Sequence, residues 1–104
     1  MTTWKFKRTD RTYEIIDAPD LQRSSSARRM VIRPRQATLH LIPDTDMVYG
    51  ATIEGRQVKR DGELGGIRLI AVGIETESWS YSDTPPPWLN KILADAGLEW
   101  TRRR

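Results

Sequence analysis

Pro85-Pro86-Pro87-Trp88-Leu89-Asn90-Lys91-Ile92-Leu93-Ala94-Asp95-Ala96-Gly97-Leu98 is the stretch from which the fold can be read. Each proline disfavours helical backbone in the residue before it, so regular helix starts near Pro87 or Trp88. From there Trp88, Leu89, Ile92, Leu93 and Ala96 recur at helical spacing and form one apolar stripe, while Asn90, Lys91 and Asp95 face water. Gly97 suits a left-handed cap, and Leu98 behind it can fold back on the last turn. A helix of about ten residues does not persist alone in water, so its stripe needs a surface to cover. The run 67–75 supplies one. It is apolar on both parities, with Ile67, Leu69 and Ala71 against Ile70, Val72 and Ile74, the pattern of a central strand covered on both faces.

Working outward, the rest of the chain reads as β-structure. Trp4-Lys5-Phe6-Lys7-Arg8 alternates apolar and charged residues, and 12–17 resumes the alternation with Tyr13 and Ile15 inward, so the two segments pair as a hairpin. Residues 18–29, with three consecutive serines and three arginines, lack periodicity and read as a mobile loop. Met30-Val31-Ile32 is a short apolar run, and Pro34, which cannot donate to a ladder, puts it at an edge or a strand end. Thr38-Leu39-His40-Leu41-Ile42 alternates with His40 outward, and Pro43-Asp44-Thr45-Asp46 turns the chain. The run 47–60 is the longest strand signal, with Tyr49, Ala51 and Ile53 on one face. The apolar parity slips past Gly55, which suggests a bulge, and Asp61-Gly62 marks a hairpin reversal. Ser78-Trp79-Ser80-Tyr81-Ser82 reads as a last short strand. The expected fold is α+β: an antiparallel, twisted sheet of about six strands with one C-terminal helix packed on it, in a single domain over 1–104 with a flexible tail at 101–104.

Composition removes several kinds of chemistry. With no cysteine in 104 residues there is no disulfide framework, cysteine zinc site or thiol nucleophile. The N-terminal residues lack the pattern of a signal peptide, and no apolar run is long enough to cross a bilayer, so the expectation is a cytoplasmic chain without membrane contact. His40, the single histidine, lies among leucines and isoleucine without a second group at ligand spacing, and no role is assigned to it. Asp44 and Asp46 lack the later glycine and glutamate of a calcium loop. The serines 24–26 have no nucleophile elbow around them. Gly62, Gly65 and Gly66 join strand to strand without a following lysine, so they form no phosphate loop. No catalytic residue, cofactor site or metal site is expected.

Charge is segregated. Residues 1–36 carry nine Lys or Arg against four Asp or Glu, residues 37–100 carry five against ten, and Arg102, Arg103 and Arg104 follow. Opposite charges on two parts of a chain attract one another, within a monomer or between copies. Arg23, Arg28, Arg29, Arg33, Arg35 and the three terminal arginines are the candidate partner-binding cations, with Trp100 beside the tail as the candidate exposed aromatic.

Two motifs carry a resemblance. Gly55-Arg56-Gln57-Val58-Lys59-Arg60-Asp61-Gly62 and Asp83-Thr84-Pro85-Pro86-Pro87-Trp88-Leu89 resemble the hairpin and closing helix of small uncharacterised proteins of actinobacteria and their phages, over roughly residues 47–96. That resemblance implies a phage or mobile-element setting and supplies no active site. The functional expectation is a small, non-catalytic binding or assembly protein acting through protein–protein contacts or self-association. The alternative is a small basic nucleic-acid-binding protein that grips phosphates with the arginine loop and tail and stacks bases on exposed aromatics.

Overall fold

The computed structural model describes residues 2–6, 11–23, 30–73 and 84–101. Two long strands dominate, β4 (Met30–Leu41) and β5 (Met47–Val58), each of 12 residues. They pair antiparallel around the turn at 43–46, where Thr45 Oγ1 donates to the Ile42 carbonyl at 2.8 Å and accepts from the Met47 N–H at 3.1 Å. The hairpin of β1 (Thr3–Phe6) and β2 (Thr12–Ile16) joins β4 through Thr12, Tyr13 and Glu14. On the other side of β5 lies β6 (Leu64–Val72), giving the order β1-β2-β4-β5-β6.

Among the described residues the sheet has seven strands, not six. The additional pairings are short. The segment read as part of a loop contains β3 (Leu21–Arg23), antiparallel to the first residues of β4. After the helix, β7 (Glu99–Trp100) runs parallel to β5 beside Met47 and Val48. Met30-Val31-Ile32 and the alternation from Thr38 belong to one continuous strand. Pro34 sits in its interior, between the stretch paired with β3, which ends at Ile32, and the stretch paired with β2, which begins at Gln36. Opposite β5 the register slips between Pro34 and Gln36, leaving Arg35 as the extra residue. A bulge is where a strand interior tolerates proline.

The bulge also explains Gly55, although the slip in the 34–36 region falls on the partner strand. A Cβ at Gly55 would lie 2.1 Å from the Arg33 carbonyl oxygen, so the two backbones approach closer than any side chain allows. Between β5 and β6 a register shift separates the pairs Arg56–Ile67 and Val58–Leu64, which places Gly65 and Gly66 in the bulged part of β6.

The helix α1 (Pro87–Asp95) starts where the prolines direct it, with Pro87 inside its first turn. Trp88, Leu89, Ile92 and Leu93 are buried, in one core with Tyr13, Ile15, Ile32, Ala37, Leu39, Val48, Ala51, Ile53, Ile70 and Val72. Burying each large aliphatic side chain contributes about 1.5–3 kcal/mol relative to exposure. The helix ends as its sequence indicates. Gly97 has φ +73°, its N–H bonds the Ala94 carbonyl at 3.2 Å, and the Leu98 N–H bonds the Leu93 carbonyl at 2.9 Å. That pair of bonds satisfies two helix-end carbonyls and turns buried Leu98 back onto the last turn.

β6 departs from expectation. Among the described residues it is the end strand of the sheet, and its apolar side chains are buried on one face only. Ile70 and Val72 lie in the core, whereas Ile67 is 40% and Leu69 57% exposed. The single helix among the described residues covers one side of the sheet, so the second apolar parity of β6 is left outside. The expected strand at 78–82 and the end of the run 67–75 lie outside the described residues.

Gly55→Ala should lower unfolding free energy by about 3 kcal/mol, the upper end of overpacking costs, because backbone has to move. Gly66→Ala, where a Cβ meets only the Arg68 guanidinium at 3.7 Å, should change it by less than about 0.5 kcal/mol. Urea unfolding of both variants measures the contrast.

Candidate protein-binding face

The face opposite α1 is built from cross-strand rows. One row runs through Thr12, Thr38, Thr52 and Ala71, the next through Glu14, Gln36, Glu54 and Leu69, and a third through Arg33, Arg56 and Ile67. Residues directly opposite on neighbouring strands share a face, so each row is a line of side chains across the sheet. The register thereby delivers hydroxyls in one line and a charged-to-apolar gradient in the two beside it.

Within the first row Thr12 and Thr38 hydroxyls lie 3.3 Å apart, and His40 Nε2 is 2.8 Å from Thr52 Oγ1. His40 also stacks on Tyr49, with ring centroids 5.9 Å apart and planes 28° from parallel. Tyr49 was expected to share a face with Ala51 and Ile53. It stands instead on the His40 side, 39% exposed, because the register slips there: Leu41 pairs with Val48 and His40 with Gly50, leaving Tyr49 as the extra residue. Burial lowers the pKa of the His40 imidazole below its ordinary value.

The arginines of the basic stretch divide. Arg33 forms a two-pronged pair with Asp20, Nε to Oδ1 at 3.1 Å and Nη2 to Oδ2 at 3.5 Å. The hydrogen bond, and then the charge, of Asp20 raise the Arg33 pKa further. Arg35, the bulged residue, reaches Glu54 through Nε at 3.1 Å and Nη2 at 3.0 Å. Arg23 is half-buried at the paired end of β3, and its Nε is buried without a hydrogen-bond partner among the described residues. Arg28, Arg29, Arg102, Arg103 and Arg104 lie outside the described residues. Arg56, not among the sequence candidates, donates to the Gly65 and Leu64 carbonyls at 3.0 and 3.3 Å and so holds the bulged start of β6.

Trp100 is not the exposed aromatic its position beside the tail suggested. It is half-buried. Its indole N–H donates to Asn90 Oδ1 at 2.7 Å, and its ring lies over Gly73, where a Cβ would be 3.0 Å away. The Thr101 N–H bonds the Val48 carbonyl at 2.9 Å. Trp100 therefore ties the segment after the helix to β5 and to the end of β6.

Among the described residues the large apolar side chains left in solvent are Ile16, Ile42, Tyr49, Ile67 and Leu69. Ile16, Tyr49, Ile67 and Leu69 belong to the face opposite α1. Sequence reading missed Ile67 and Leu69 as surface residues. The signal that could have found them was arithmetic on layers: one helix, and a strand with two apolar parities. Among the described residues no group of three or more His, Asp or Glu stands ready for a metal ion, and no helix is long and apolar enough to cross a membrane. Comparison with known families, characterised proteins and solved structures finds no match to this chain.

The lowered His40 pKa sets the sign of a pH effect. The folded chain binds this proton more weakly than the unfolded chain. The associated stability is present above pH 6.5, the ordinary value, and is lost as the pH falls through the lowered folded value. Thermal melts from about pH 7.5 to about pH 5 should show a steeper loss for the natural chain than for His40→Gln, in the range where histidine titrates.

Proposed function

We propose that this chain is a small, non-catalytic binding and assembly protein, working in the cytoplasm in a phage or mobile-element setting, and that it acts through protein–protein contacts on the uncovered side of β6. The setting rests on the resemblance carried by the 55–62 hairpin and the 83–89 helix start. The mode of action rests on one observation: the end strand of the sheet displays Ile67 and Leu69 to solvent, Leu69 at 57%. Exposed apolar side chains grouped on one strand mark contact surfaces more often than isolated ones do. Aromatic Tyr49 and the hydroxyl row extend the same face with groups that suit the polar rim of an interface.

The nucleic-acid reading depends on free cations. Arg33 and Arg35 are matched by Asp20 and Glu54, and the row beside them carries Glu14 as well as Glu54. A phosphate backbone would meet carboxylates wherever it met these two arginines.

The immobilised full-length chain should retain a protein, either another chain or further copies of itself, and lose it on Leu69→Glu. It should not retain single- or double-stranded DNA at low salt. DNA retention whose log affinity falls steeply with log salt, as expected when several phosphates are neutralised, would replace this reading with the nucleic-acid one.

A further inference from the structure

We draw no further inference here: the strongest candidate, the surface patch of Ile67 and Leu69 on the side of β6 opposite α1, is an unpartnered apolar face, and nothing in the structure shows what covers it.

Discussion

Among the described residues one helix serves a sheet with two faces. The buried stripe of α1 closes over the side formed by Ile32, Ala37, Leu39, Val48, Ala51, Ile53, Ile70 and Val72, and the core of the chain is that single layer contact. The stop at Gly97 matters as much as the stripe. It returns the chain through Leu98 to lay β7 alongside β5, and it brings Trp100 over Gly73 and onto Asn90. The helix is thus held at its C-terminal end by the same segment it positions. A nine-residue helix that could not stand alone becomes fixed by its apolar face and by the strand that follows it.

Irregularities in the central hairpin decide what the other face shows. Two register slips between β4 and β5 each leave one extra residue, Arg35 and Tyr49. Each is placed on the uncovered side, where Arg35 meets Glu54 and Tyr49 meets His40. The first slip depends on Gly55, the only residue type that lets the Arg33 carbonyl come so near, and it provides the interior site where Pro34 costs no ladder bond. Backbone geometry, more than side-chain propensity, selects the polar contents of this face.

The helix was legible because its signals are local: a 3.6-residue stripe, proline before it, glycine after it. The 61–62 turn and the β1–β2 hairpin were legible for the same reason. Features set by distant partners were not. β3 and β7 have two or three residues each, too few for a period, and exist because β4 and β5 offer unpaired backbone beside them. Pro34 signals a ladder gap, which can fall at an edge or between two neighbours on one side of a long strand, and sequence does not distinguish them. Trp100 reads as a tail residue until the chain reversal at Gly97 places it against the sheet. The double parity of β6 states correctly that both sides are apolar. It does not state whether both are covered, because that depends on how many layers the chain can supply.

Part of the segregated charge is matched within the chain. Arg33 meets Asp20 within the basic N-terminal stretch, and Arg35 crosses to Glu54 in the acidic one. These exposed pairs contribute at most about 1 kcal/mol each, yet they take two of the candidate cations out of play for an anionic partner. Among the described residues, Ile67 and Leu69 stand exposed on the end strand β6. Edge strands are usually blunted by charge or distortion. Here both devices are present, Arg68 in the middle of β6 and the bulge at its start.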